Sequence, residues 1–223
     1  MAIVLTLVTA ATGSNVRAWQ TAVSIDGERF RINGQPTYAG LAPGALGRLM
    51  NARMVNSTFD DENPATRPAG FDPEANTTRF IDSMDQYKAK GILAFTLNLQ
   101  GGYPGYEGAI NSAFARDGSL KPAYVRRVAR VIEAADANGL VIILGLFYQR
   151  QDQILADEDA VRVATRNAAT WLARQRYTNV LVEIANEYRH DGFDHAILRE
   201  EAGEAELMDL IRSVHPKLLV STS

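Results

Sequence analysis

Apolar segments of strand length alternate with amphipathic segments of helix length along most of this chain. Strands are predicted at residues 54–59, 92–97, 140–147, 180–184 and 217–221. Helices are predicted at residues 76–90, 122–138 and 201–214, with a further one on the segment that carries Val161, Ala164, Ala168 and Trp171 at helical spacing. Because neighbouring parallel strands need a helical crossover, this order predicts βα units and a parallel sheet.

The segment before the first of these strands predicts a β-hairpin. Residues 23–36 contain two short alternating runs joined by an Asp-Gly turn at Gly27, and an Asn-Gly turn follows at Gly34. Two further glycines, Gly91 and Gly139, stand where the first two helices should end. The parallel sheet is therefore predicted to begin only after a short antiparallel hairpin.

Composition limits the classes of partner. The chain has 223 residues, of which 46% are apolar, enough for one large core. Its net charge of −3 and scattered Lys and Arg give no basic patch for nucleic acid or an anionic membrane, so small neutral ligands are favoured. Without cysteine there is no thiolate site, and the three histidines lack the close spacing of metal ligands. We expect no metal and no other cofactor.

The N-terminus resembles a targeting segment. Residues 1–11 form an apolar run of signal-peptide length that is too short to span a membrane. No Lys or Arg precedes the run, so the charged start of a secretory signal is missing. Residues 1–18 are predicted to be a leader and residues 19–223 a barrel-like domain, with secretion and a buried or disordered leader as the two alternatives.

The periodicity does not decide whether the sheet closes into a barrel or stays open. Five strands and four helices fit part of a (β/α)8 barrel, and they also fit an open flavodoxin-like sheet that binds an anionic ligand. The loop after the first strand, residues 60–68, is acidic and would repel an anion. The loops after the first two strands are also long, as active-site walls usually are. Both features favour the barrel.

Four segments together resemble the cellulase-like glycoside hydrolases of the retaining (β/α)8-barrel clan. They are Ile-Asn-Gly-Gln-Pro at residues 32–36, the strand end at residues 95–102, the strand at residues 141–148, and Glu-Ile-Ala-Asn-Glu at residues 183–187. In that clan the fourth strand ends in Asn-Glu. The order of the segments, on successive strand ends from residue 23 to residue 223, makes the resemblance more specific than any one of them.

The resemblance implies a retaining hydrolysis of O-glycosidic bonds in a poly- or oligosaccharide. By the motif match, Glu187 would be the acid/base and Asn186 would bind the sugar 2-hydroxyl. An acid that donates near neutrality needs a raised pKa, which burial beside a second carboxylate supplies. The structural alternative is that Glu187 caps the next helix or pairs with Arg189.

Further polar residues follow the strands and are our own assignments to the same rim. Parallel strands place their carboxyl ends at one edge, so these side chains would offer donors and acceptors to sugar hydroxyls. The candidates are Asp60, Asp61, Asn98, Gln100, Tyr148, Gln149 and Asp152, with His195 flanking the site after the fourth strand. For each of them, capping or packing in a loop is the alternative role.

The chain also departs from the family pattern. The family's nucleophilic Glu comes from the seventh strand, whereas this sequence ends inside the fifth, and a full barrel takes about 250 residues. We therefore expect the N-terminal part of a truncated barrel, whose exposed strand edges favour self-association of half-barrels. We also expect no Arg at the first two strand ends and no His at the third. A non-catalytic carbohydrate-binding or relic half-barrel is the alternative function.

Overall fold

A computed structural model describes residues 18–41, 43–101 and 108–223, so all but the last residue of the predicted leader lies outside it. The described chain forms a three-stranded antiparallel sheet followed by a five-stranded parallel sheet with helices between its strands. The strands are β1 Val23–Asp26, β2 Arg29–Ile32, β3 Gln35–Pro36, β4 Asn51–Arg53, β5 Ala94–Asn98, β6 Val141–Phe147, β7 Val180–Ala185 and β8 Leu219–Ser221. The helices are α1 Pro73–Lys88, α2 Pro122–Ala137, α3 Glu158–Gln175 and α4 Glu201–Val214.

The order of the parallel strands identifies the type of sheet. The strands lie in the order β4-β5-β6-β7-β8, so each new strand adds to the same growing edge. A flavodoxin-like sheet instead reverses direction after its second strand. The open-sheet alternative is therefore wrong, and the arrangement is that of consecutive units of a (β/α)8 barrel.

The helices begin and end at residues whose local chemistry requires it. Asp72 accepts hydrogen bonds from the backbone N–H groups of Glu74 and Ala75 and caps the start of α1. The predicted stops after α1 and α2 are confirmed, because Gly91 and Gly139 adopt φ of 87° and 71°, in the left-handed region that favours glycine.

The first parallel strand was predicted at the wrong place. The prediction was residues 54–59, but β4 is Asn51–Arg53, paired in register with residues 94–96 of β5, and residues 55–58 form a turn. The apolar side chains of Met54 and Phe59 suggested a strand, although Phe59 packs in the loop against Phe71 at 5.8 Å between ring centroids. This shift of register places Arg53, and not Asp60, at the strand end.

The predicted hairpin closes the base of the parallel sheet, which is the end where its strands begin. β1 and β2 pair in antiparallel register, and β3 adds a short third strand. Asn33 and Gly34 both have positive φ, 52° and 77°, as a tight two-residue turn requires. The N–H of Val23 donates to the carbonyl of Thr178, just before β7, which ties the hairpin to the sheet.

Two packed layers flank the sheet. On the face that points to the barrel interior, Ala94, Val141 and Leu181 form a small apolar cluster covered by Phe30 and Ile32 of the hairpin. On the other face the four helices bury a continuous core that includes Phe95, Leu97, Leu144 and Val182. No described helix is long and apolar enough to cross a membrane. The base is thus filled by side chains, and the opposite end of the strands is left for polar residues.

Candidate active site

The Asn-Glu pair lies where β7 ends. The backbone N–H of Asn186 still donates to the carbonyl of Phe147 on β6, at 3.1 Å, so Asn186 continues the ladder by one residue. Glu187 then adopts φ of 54°, a left-handed conformation that is uncommon outside glycine. This residue ends the strand and turns the chain away from the sheet, which leaves the Glu187 side chain exposed.

The amide of Asn186 is held from both sides. Arg53, at the end of β4, donates to Asn186 Oδ1 at 2.6 Å, and Asn186 Nδ2 donates to Gln149 Oε1 at 3.0 Å. The residue is 2% exposed. Because two opposite partners fix which end of the amide is oxygen, its orientation towards the rim is set before any ligand binds.

Gln149 connects the two residues of the motif. While its Oε1 accepts from Asn186, its Nε2 donates to Glu187 Oε2 at 3.5 Å, the long limit of a hydrogen bond. The backbone of the motif is held by Ser223, whose hydroxyl accepts from the N–H of Glu187 at 3.1 Å. Arg189 pairs with Glu201 of α4, so the predicted alternative pairing of Glu187 with Arg189 is not formed.

Tyr148 lies among the charges of the site. Burial raises the pKa of its phenol, the charges of Glu187 and Glu183 act in the same direction, and the charge and hydrogen bond of Arg53 oppose them. Because Arg53, Glu183 and Glu187 all influence this phenol, it lies close to the Asn186-Glu187 pair. Tyr148 is thus a neutral hydrogen-bonding group close to Arg53, Glu183 and Glu187.

A second carboxyl lies deeper on the same strand. The side chain of Glu183 lies on the interior row that contains Asn98, Gly145 and Ser221, which are paired in register across β5 to β8. Burial raises the pKa of Glu183, against a hydrogen bond from Ser223 and the charge of Arg53. Sequence reasoning did not assign Glu183, although a single acid within the otherwise apolar strand VLVEIA was a usable signal.

Asn98 and Gln100 are not at the accessible rim. Both are fully buried, and Gln100 Nε2 donates to Ser112 Oγ and to the carbonyl of Gln151, each at 3.1 Å. Neither amide atom of Asn98 has a partner among the described residues. A Cβ at Gly145 would lie 2.8 Å from Asn98 Oδ1, so the amide extends across this glycine.

Asp60 has a structural role in the described chain. It lies in the loop after β4 and forms ion pairs with Arg67 at 2.5 Å and with the buried Arg127 of α2 at 3.1 Å. Its neighbour Asp61 is buried and accepts from the hydroxyl of Thr66 at 2.8 Å. These contacts fix the loop to α2 and engage both carboxylates with protein groups.

His195 and Asp152 join two loops of the rim. Asp152 is fully buried, and its Oδ2 lies 2.9 Å from His195 Nδ1 and also accepts the backbone N–H groups of Asp194 and His195. The loop after β6 is thereby fastened to the loop after β7. Among the described residues, no group of three His, Asp or Glu side chains could hold a metal ion.

The structure therefore brings together Asn186, Glu187, Gln149 and Tyr148 of the predicted residues. It adds Arg53, which contradicts the expectation that no Arg stands at the first two strand ends. The error follows from the misplaced first strand, since a strand at residues 54–59 would put Arg53 at its start. The alternation of polar Asn51 and Arg53 around Ala52 was the signal available.

Three solved structures share the fold of this chain. A β-1,4-D-mannanase from Cryptopygus antarcticus matches 92% of this chain and 61% of its own, with a TM-score of 0.55 and 15% identity. An endo-1,4-β-mannanase from Eisenia fetida matches 91% and 62%, with a TM-score of 0.55 and 12% identity. A β-glucanase from Saccharophagus degradans matches 98% and 58%, with a TM-score of 0.54 and 12% identity.

These likenesses establish the fold, and the chain spans about three fifths of the length of these three proteins. Among curated proteins no match was found. The model of the family described as Cellulase (glycosyl hydrolase family 5) matches residues 65–222, which is more than two thirds of the chain and includes Asn186 and Glu187. The chain belongs to glycosyl hydrolase family 5.

Proposed function

We propose that this chain provides the acid/base side of the active site of a retaining glycoside hydrolase that acts on a β-linked poly- or oligosaccharide. The proposal rests mainly on the pair Asn186 and Glu187 at the end of β7, where Arg53 and Gln149 fix the Asn186 amide by hydrogen bonds. The β-mannanases and the β-glucanase among the similar structures favour a β-mannan or a β-glucan. Because the chain spans part of their length, hydrolysis by the complete protein belongs to the proposal.

The chemistry assigns a role to each residue of the pair. Glu187 would protonate the leaving oxygen and later activate water, opposite a second carboxyl about 5 to 5.5 Å away that attacks the anomeric carbon. Asn186 uses one N–H and one lone pair within the protein. Its second N–H and second lone pair remain for the sugar 2-hydroxyl, which can both accept and donate.

A non-catalytic carbohydrate-binding module is the second candidate. It is favoured by the exposure of Glu187, because a general acid normally works in a desolvated site. The polar groups around Tyr148 would then bind sugar hydroxyls without cleaving the glycan.

One substitution separates the two candidates. Glu187→Gln keeps the size of the side chain and removes its acid, and Glu28→Gln, exposed at the hairpin turn, is the matched control. Hydrolysis of β-1,4-mannohexaose and cellohexaose by the complete protein that contains this chain is followed by chromatography of the products, and binding by isothermal titration calorimetry. Loss of hydrolysis in Glu187→Gln alone, with binding retained, supports the hydrolase. Binding without hydrolysis in every version supports the module, and absence of both overturns both.

A further inference from the structure

Glu183 is the one charged residue of β7, and its nearest neighbours in the sheet cannot balance its charge. On the interior face it is paired in register with Gly145 of β6 and Ser221 of β8. Gly145 has no side chain, and the hydroxyl of Ser221 donates to the carbonyl of Val182 at 3.4 Å. Because a partly buried carboxylate is costly without a partner, a counter-charge is expected from another row of the face.

Arg53 reaches β7 from the far side of the interior face. It ends β4, which is separated from β7 by β5 and β6. The pairing of these strands places Arg53 in the same row as Leu181, two residues closer to the base than Glu183. Its guanidinium nevertheless donates to Asn186 Oδ1 at 2.6 Å, beyond Glu183 on the chain. The Arg53 side chain therefore crosses the interior face and passes the level of Glu183 before it meets Asn186.

The charges around Glu183 are of both signs. Burial raises the pKa of Glu183, whereas a hydrogen bond from Ser223 and the charge of Arg53 lower it. The charge of Glu183 in turn raises the pKa of Tyr148, after β6, and of Glu204, on α4. Arg53 is thus the cation that favours the charged form of Glu183, while burial and the two neighbouring acids favour the neutral form.

Arg53 needs a restraint of this kind. Its side chain is exposed, and a long flexible side chain loses conformational entropy when it is held in one position. A carboxylate along its path attracts the guanidinium and limits the positions that it can occupy. Since the guanidinium donates to Asn186, the three side chains form a series from Glu183 through Arg53 to the amide.

We propose that Glu183 is a positioning residue that acts through Arg53. Its carboxylate holds the guanidinium where it donates to Asn186, and so keeps the amide oriented for the sugar. The inference rests on the proposed function, because the Asn186 amide is the group assigned to the glycan. It goes beyond that function by linking glycan affinity to the charge of a residue that lies below the binding site.

The sign of the pH dependence follows from this role. A carboxyl with a raised pKa takes up its proton at a higher pH than an ordinary Glu, whose pKa is 4.5. Once protonated, Glu183 no longer attracts Arg53, and the Asn186 amide loses a restraint. Glycan affinity is therefore expected to be highest where Glu183 is charged, and to fall as the pH is lowered towards 4.5.

The test is a double-mutant cycle in the complete protein that contains this chain. All variants carry Glu187→Gln, which prevents cleavage and removes the titration of that residue. Glu183→Gln, Arg53→Gln and the two together are compared with Glu28→Gln, exposed at the hairpin turn, as the control. Isothermal titration calorimetry gives the affinities for β-1,4-mannohexaose and cellohexaose at pH 8, and urea denaturation shows that each variant is folded.

We expect Glu183→Gln to lower the affinity for the bound glycan about fivefold, and Arg53→Gln to lower it at least as much. In the Arg53→Gln background, Glu183→Gln should have no further effect, because the residue through which it acts is gone. Glu183→Asp keeps the charge and should restore part of the affinity. Losses that multiply in the double variant would show that Glu183 acts independently of Arg53, and would overturn the inference.

Titrations from pH 8 down to pH 5 provide the second readout. The affinity should fall with pH in the protein that carries Glu187→Gln alone, and it should not fall once Glu183→Gln or Arg53→Gln is added. Glu204 titrates in the same range, so the fall must persist when Glu204→Gln is added. A fall that survives Glu183→Gln overturns the inference and leaves the proposed function standing. If the Glu187→Gln protein binds neither glycan at pH 8, both proposals fail.

Discussion

The interior face of the sheet buries apolar side chains at its base and polar side chains nearer the opposite end. At the base, Ala94, Val141 and Leu181 are buried against the hairpin and contain no polar side-chain atom. Further along the same strands the face carries Asn98 and Glu183 instead. The strands are shared, so the difference arises from side chains alone.

Two buried asparagines show how this difference affects stability. Asn179, at the base, donates to the carbonyls of Ile132 at 3.1 Å and Leu140 at 3.2 Å, and its Oδ1 has no partner among the described residues. Asn98, near the rim, is equally buried but has no partner for either amide atom among the described residues. An unpartnered buried amide lowers the free energy of unfolding. The interior face therefore contributes more stability at the base than near the end where a ligand is expected to bind.

The largest expected effect is at the base. Leu181→Ala removes a buried side chain between the sheet and the hairpin, and we expect the free energy of unfolding to fall by about 3 kcal/mol. Urea denaturation followed by circular dichroism measures the loss. Glycan binding by the folded variant should not change. A loss below about 1 kcal/mol would mean that the hairpin collapses into the cavity, and the base would then be less rigid than we argue.

Glu204 of α4 tests whether burial of charge near the rim is destabilising. Burial raises the pKa of its carboxyl to about 7, with Glu183 acting in the same direction and Thr222 opposing. The native state therefore holds a proton that the unfolded chain releases near pH 4.5, so stability falls as the pH rises from about 4.5 to 7.

Glu204→Gln should remove this dependence. At pH 8 we expect the variant to be more stable than the parent by about 2 to 3 kcal/mol, and at pH 4.5 the two should be nearly equal. Urea denaturation at both pH values measures the difference. Glu206→Gln on the same helix is the control of opposite sign, because a hydrogen bond from Arg162 lowers the pKa of Glu206. A constant difference between parent and Glu204→Gln at all pH values would contradict the argument.

Gln149→Ala should affect binding more than stability. The substitution removes the group that accepts from Asn186 and donates to Glu187. We expect the free energy of unfolding to fall by about 1 kcal/mol and the affinity for a bound glycan to fall about fivefold, because the Asn186 amide loses one of its two restraints. Calorimetric titration and urea denaturation measure the two effects. Unchanged affinity would show that Arg53 alone orients the amide.

The elements with a strong period were predictable from the sequence. The helix predicted near residues 201–214 is α4 at those bounds, and the strand predicted at residues 180–184 is β7 with one more residue. The first strand was not predictable in the same way. β4 has three residues, and its position depends on pairing with β5, which no local pattern encodes.

The candidate site was predictable only in part, for a related reason. Asn186, Glu187, Gln149 and Tyr148 follow long, well-marked strands, so their common rim could be inferred. Arg53 was missed because its strand was misplaced. Asp60 was assigned to sugar binding because a sequence does not show that Arg127, 67 residues later, lies 3.1 Å away.

The smallest expected effect is at the buried Asn98, and its contrast with Asn179 tests the difference between the two ends of the sheet most directly. Asn98→Leu replaces an unpartnered amide by an apolar group of similar shape, so we expect the free energy of unfolding to change by less than about 1 kcal/mol. Asn179→Leu at the base should lose about 2 kcal/mol, because two carbonyls are left without their donor. Urea denaturation of both variants gives the two values. Equal losses would mean that the Asn98 amide is as well bonded as that of Asn179. The Asn98 end of the interior face would then contain no destabilising amide that a bound ligand could satisfy.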